Sequence, residues 1–207
     1  MTRLIAIAAL AFSTGVLAAC SGDPGPGPIL VETQSVPLYP DTPERMDVGR
    51  LEYRGGLVLT SADDRFGGLS ALEIEGERLL AISDSAYWLT ADLEFDAEGW
   101  LTGLSRAFYA PMLDANGNPL TGEAADAEGL AALGHGAYAV SFEREHWIDR
   151  YDISPDWSGV AIATPTPMPA PPGTDRLREN GGMEALVPSE FGLWAGVEYP
   201  IVEGQPH

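Results

Sequence analysis

The sequence predicts an all-β fold, a β-propeller present as an incomplete ring of about three blades, and three observations predict it. The first is a repeat. Gly68-Leu69-Ser70-Ala71-Leu72 leads to a strand ending in Asp84, Gly129-Leu130-Ala131-Ala132-Leu133 to one ending in Glu143, and Gly182-Met183-Glu184-Ala185-Leu186 to one ending in Glu198. The second is the texture of each unit. Residues 79–83, 138–142 and 193–197 are short apolar runs bounded by turn residues or charges, as buried strands are, and no long amphipathic helix interrupts them. The third is the number of strands per unit. Further β-forming segments follow the first two hairpins, giving roughly four strands per repeat, the composition of a propeller blade.

Taken in order, residues 1–20 read as an address. Met1-Thr2-Arg3 is a short basic start, 4–16 is almost wholly apolar, and Leu17-Ala18-Ala19-Cys20 is a small-residue cleavage site. The last four resemble the bacterial lipobox, whose cysteine becomes the lipidated first residue of the mature chain. Cys20 is the single cysteine of the chain, which also excludes an internal disulfide. Ser21, in place of an aspartate, points to the outer membrane, with the protein body on the periplasmic side of the envelope and held to the membrane only through lipid. Residues 21–44, Gly- and Pro-rich at their start, read as a tether. Residues 45–207 form the domain, and 51–60 read as an outer strand belonging to a last blade.

Within that domain, 87–95 and 100–109 supply the outer strands of the first unit, and 147–153 and 159–164 those of the second. The segment 164–173, Thr-Pro-Thr-Pro-Met-Pro-Ala-Pro-Pro-Gly, reads as an extended connection that cannot pair in a sheet. Asp114-Ala115-Asn116-Gly117-Asn118 has alternating oxygen side chains, but its glycine is misplaced for a calcium loop, so it reads as a turn.

The charge narrows the function classes. Eleven basic residues, all arginine, stand against thirty-one acidic ones, for a net charge of −20. The absence of lysine excludes Schiff-base chemistry and a phosphate-loop nucleotidase. The acidity excludes nucleic acid as a partner and makes divalent cations the natural complement. Solubility of a secreted protein explains the same acidity without any ligand.

The hairpin geometry of each unit brings its closing acid to the edge where its first strand begins. Asp84, Glu143 and Glu198 are therefore expected beside Ser70, Glu128 and Glu184, around one mouth of a central channel, with Asp63, Asp64 and Arg65 nearby. Such a ring of oxygen ligands is a calcium site in outline. The alternative is that these acids cap strand ends in solvent or pair with Arg65, Arg144 and Arg150.

Phe66-Gly67-Gly68-Leu69-Ser70-Ala71-Leu72-Glu73, Ile82-Ser83-Asp84, Asp126-Ala127-Glu128-Gly129-Leu130, Val140-Ser141-Phe142-Glu143-Arg144 and Asn180-Gly181-Gly182-Met183-Glu184-Ala185-Leu186 resemble the phytase-like family, whose members are labelled esterase-like proteins of the phytase family. The resemblance runs from about residue 45 to the end. It implies a secreted propeller and calcium-assisted hydrolysis of a small anionic phosphoester. Asp84, Glu128, Glu143, Glu184 and Glu198 would be metal ligands, with Glu143 and Glu184 as catalytic carboxylates. A basic residue is expected after Asp84, where this chain has Ser85. Family members continue for further blades, so the chain is expected to be a truncated gene, a fragment, or a half that needs a partner.

A Ser–His triad is disfavoured. Ser70 lacks the second glycine of a nucleophile elbow and sits on a strand, His135 lies in a Gly-His-Gly turn, and only His146 is close to the expected mouth. The competing function class is a non-catalytic propeller that binds a ligand or protein.

Overall fold

The computed structural model describes residues 25–199. Residues 1–24, with the expected signal segment and lipidation at Cys20, and residues 200–207 lie outside the described residues. Fifteen strands follow in order: β1 (Gly27–Pro28), β2 (Glu32–Ser35), β3 (Asp47–Val48), β4 (Leu51–Glu52), β5 (Leu57–Thr60), β6 (Leu69–Glu75), β7 (Arg78–Ser83), β8 (Tyr87–Phe95), β9 (Leu101–Pro111), β10 (Ala127–Gly134), β11 (Ala137–Phe142), β12 (Trp147–Asp152), β13 (Thr166–Pro167), β14 (Met183–Ser189) and β15 (Gly192–Val197). Among the described residues only short 3-10 turns, at Gly122–Ala125 and Thr174–Arg176, interrupt them. The fold is all-β, and every strand pair is antiparallel.

Three repeated units carry the architecture. The first is β9-β8-β7-β6 with β1 added at its edge, the second β10-β11-β12-β13, and the third the hairpin β14-β15. β10 lies beside both β6 and β14. The described residues form no closed ring.

Alternation along β7 explains how the first unit packs. Leu80 and Ile82 face the second unit, where they join Trp88, Val140, Phe142, Tyr151 and Trp157 in one core. Trp88 meets Tyr151 edge to face, with ring centroids 5.5 Å apart. Leu79 and Ala81 face the other way and pack with Leu89, Leu104 and Tyr109. Because both faces are covered, the strand reads as a continuous apolar run. A third core places Met183 and Leu186 against Ala131, Ala139 and Ile148, joining the third unit to the second.

Four expectations are corrected here. The segment 21–44 is not a free tether over its described part. Gly27 and Pro28 pair with Tyr109 and Phe108, and β2 pairs with β5. Ile29, Val31 and Leu59 drive this by covering the outer apolar face of the first unit. Residues 51–60 form two short strands, β4 and β5, instead of one. Residues 159–164 form turns: the amides of Ile162 and Ala163 both donate to the Gly159 carbonyl. The outer strand of the second unit is instead β13, inside the proline-rich segment. Pro167 stands opposite Asp149, and Met168 donates its amide to Ile148 at 2.9 Å. An edge strand needs donors on one side only, so alternate prolines are tolerated there. The 114–118 turn is as expected, with Asp114 Oδ1 accepting the amides of Asn116 and Asn118 at 2.8 Å each.

Candidate functional site

The three units open in the same way. Each first strand has a bulge immediately after its first residue, between Leu69 and Ala71, Ala127 and Gly129, and Met183 and Ala185. Ser70, Glu128 and Glu184 are the extra residues, set apart from the ladder as bulged residues are. At the far end of each hairpin, the closing acid donates its amide to the residue before the first strand. Asp84 reaches the Gly68 carbonyl at 2.8 Å, Glu143 that of Asp126 at 2.8 Å, and Glu198 that of Gly182 at 3.3 Å. The second unit therefore begins at Ala127, and Gly129 corresponds to Ala71. Gly129 is glycine for a packing reason: a Cβ there would stand 2.4 Å from Ser141 Oγ and 3.1 Å from Leu186 of the third unit.

This register gathers carboxylates where the second and third units meet. Asp126, Glu128 and Glu143 bring oxygens within 4.8 Å of one another, and so do Glu143, Glu184 and Glu198. Glu143 belongs to both groups. It is 5% exposed, and its Oε1 accepts the Gly182 amide at 2.9 Å. Gly182 must be glycine because a Cβ would stand 2.8 Å from Glu143 Cγ and 3.1 Å from His146 Nδ1.

Electrostatics follow from the crowding. Burial pushes the Glu128 carboxyl up to about 7, and Glu184, Asp126 and Glu143 reinforce the shift. Burial also raises Glu184, with Glu143, Glu198 and Asp126 adding to it. Carboxylates held this close resist ionisation unless a cation joins them. One side of the cluster has such a cation: Arg144 Nε donates to Asp126 Oδ2 at 2.7 Å.

Of the five carboxylates expected from the sequence, Glu128, Glu143, Glu184 and Glu198 come together. Asp84 falls outside both groups. It is exposed and lies directly over Gly68, and it lines an open groove of about 490 Å³ with Ser85, Gly122, Glu123, Asp126 and Arg144. Ser70, at the bulge position of the first unit, donates its hydroxyl to the Ala127 carbonyl at 2.6 Å. It therefore ties two units together and has no part in a triad. Arg65 pairs with Asp63 and Arg150 with Asp152, away from the cluster. His146 does come to the site: its Nδ1 is buried beside Gly182 and has no hydrogen-bond partner among the described residues. His135 stays exposed in its turn, at φ 55°.

Two residues of the site were not selected from the sequence, Asp126 and Arg144. Asp126 occupies the position of Gly68 and Gly182, so no shared residue type marks it. The one available signal was the Glu143-Arg144 pair following a strand. Among the described residues no helix is long and apolar enough to cross a membrane.

Residues 64–207 match the model of the phytase-like family, described as esterase-like activity of phytase. No curated protein and no solved structure matches the chain. The family match covers more than half of the sequence and includes every residue of the acidic cluster, and the chain belongs to the phytase-like family.

Proposed function

We propose that this protein is a calcium-assisted hydrolase of phosphate esters, held by lipidated Cys20 on the periplasmic side of the outer membrane, with its repeated units serving as blades of a β-propeller. The observation that carries the reading is the pair of acidic triads sharing Glu143. Calcium takes six to eight oxygen ligands at about 2.3–2.6 Å, so oxygens on opposite sides of one ion are about 4.8 Å apart. The triads meet that limit, and they offer only hard oxygen donors. Asp126, Glu128 and Glu143 would hold one ion, and Glu143, Glu184 and Glu198 a second.

Bound there, calcium supplies the positive charge that admits an anionic phosphoester and polarises its P–O bonds. The chain's own residues do the rest. Glu143, fixed by the Gly182 amide, holds the two acidic groups at a set separation. Glu184 projects from its bulge, half-buried, and keeps a second carboxylate oxygen beyond the one it would give to the ion. That makes it the base that accepts the proton of the attacking water. The substrate is a small anionic phosphoester, and family membership supports that class.

The test is hydrolysis of p-nitrophenyl phosphate and of phytate, with calcium and with chelator, by wild type and by Glu143→Gln. Calcium-dependent turnover that the variant lowers by about a hundredfold or more is the expected result. Absence of calcium-dependent turnover in folded protein overturns the enzyme reading. Thermal stabilisation by calcium without turnover would instead favour a non-catalytic binding module.

A further inference from the structure

The strongest feature outside the triads is the guanidinium of Arg144. Its Nε is engaged by Asp126 Oδ2, while its two terminal nitrogens have no hydrogen-bond partner among the described residues. Its backbone is in the left-handed region, at φ 61°, an uncommon state for a residue with a Cβ. The turn that imposes it is tight, with the amides of Glu145 and His146 both donating to the Glu143 carbonyl, at 2.6 and 3.3 Å. The side chain is therefore anchored at its base by the turn and midway by Asp126. Arg144 lines two open grooves, one with Asp84, Glu123 and Asp126 and the other with Glu145, Asp175 and Glu179.

Position in the repeat strengthens the case. Arg144 directly follows the closing acid Glu143, as Ser85 follows Asp84, and the two lie on the same groove. Among the described residues Arg144 is the sole basic one lining it. Asp84, Glu123 and Asp126 line it with the uncharged Ser85 and Gly122, so the groove repels an anion unless a cation joins these carboxylates. Asp126 belongs both to this groove and to the first triad, which places that cation site beside the arginine.

We infer that Arg144 is the substrate-binding residue that selects phosphate monoesters in this groove. The inference rests on the calcium reading above. A planar guanidinium recognises two phosphate oxygens at once, where an ammonium acts as a point charge. A monoester has three non-bridging oxygens, enough for both the arginine fork and the neighbouring cation. A diester has two, and loses one of these partners.

Titration calorimetry separates the possibilities. Calcium is titrated first, then inorganic phosphate and dimethyl phosphate into calcium-saturated protein, for wild type, Arg144→Gln and Arg144→Lys. Wild type is expected to bind phosphate only with calcium present, and more tightly than dimethyl phosphate. Arg144→Gln is expected to weaken phosphate by about tenfold or more while leaving calcium affinity undiminished. Equal phosphate affinity in wild type and variant overturns the inference and leaves the calcium reading standing. So does a parallel loss of calcium and phosphate, because the arginine would then act only through the metal. Wild type that binds calcium but no phosphate overturns it as well. Wild type that binds no calcium overturns both readings. Should the glutamine variant fail to fold, Arg144→Lys decides, since it keeps the charge and loses the planar fork. It is expected to lose the preference for phosphate over dimethyl phosphate, and an unchanged preference overturns the assignment.

Discussion

Glu128 shows how a single side chain records its surroundings. It projects from a bulge, half-buried, with three other carboxylates near it, and its pKa rises to about 7. Between the ordinary glutamate value and about 7, the folded protein keeps a proton that the unfolded chain has released. Unfolding is then favoured as pH rises through that window. In chelator, wild type is expected to lose melting temperature from about pH 5 to about pH 7 more steeply than Glu128→Gln. Parallel curves for the two proteins would show that this carboxyl is not raised. Calcium is expected to reverse the trend, because it stabilises the ionised group.

At the scale of the element, the bulged hairpin entry is the unit of construction. It releases one side chain per unit from the ladder and turns it toward the neighbouring unit or the acidic cluster. Hydroxyls then tie one unit to the next: Ser70 to the Ala127 carbonyl, and Ser141 to the Met183 carbonyl at 2.7 Å. Ser141 is fully buried, so removing its hydroxyl leaves the Met183 carbonyl without that partner. Ser141→Ala is expected to cost about 1–3 kcal/mol in chemical denaturation, against close to nothing for the exposed Ser35→Ala. Equal stability of the two variants would mean the tie contributes nothing.

The same elements mark what could be read in advance. The second strands of the first two units were legible because burial on both faces makes them apolar without a break, whereas β15 is as apolar yet leaves Trp194 exposed; the closing acids were legible because they end those runs. The entry to the second unit was not. Gly129 imitates Gly68 in sequence, yet it is glycine because Ser141 Oγ and Leu186 press on it, and the true counterpart of Gly68 is Asp126. The N-terminal strands were hidden by Gly and Pro, although Ile29 and Val31 supply the apolar cover. β13 was hidden because an edge strand can absorb prolines. Arg144 gained its role only from the groove that the fold builds beside it.

Over the whole molecule, a chain of net charge −20 concentrates part of its acid in one junction between units. The third hairpin is held there by one apolar core, by the Ser141 tie, and by Glu143 reaching across to Gly182. The hydrogen bond from the Gly182 amide to Glu143 Oε1 thus makes a backbone proton a reporter of events at the carboxylates. A cation drawing on Glu143 changes both the charge felt by that amide and the rate at which the hairpin opens. Hydrogen exchange at Gly182 and along β14 and β15 is expected to slow by about tenfold or more on adding calcium, with β7 and β8 little changed. Uniform slowing across all three units would deny the hairpin any special link to the cluster. The amide of a glycine, with no chemistry of its own, would serve as the molecule's built-in gauge of its ionic state.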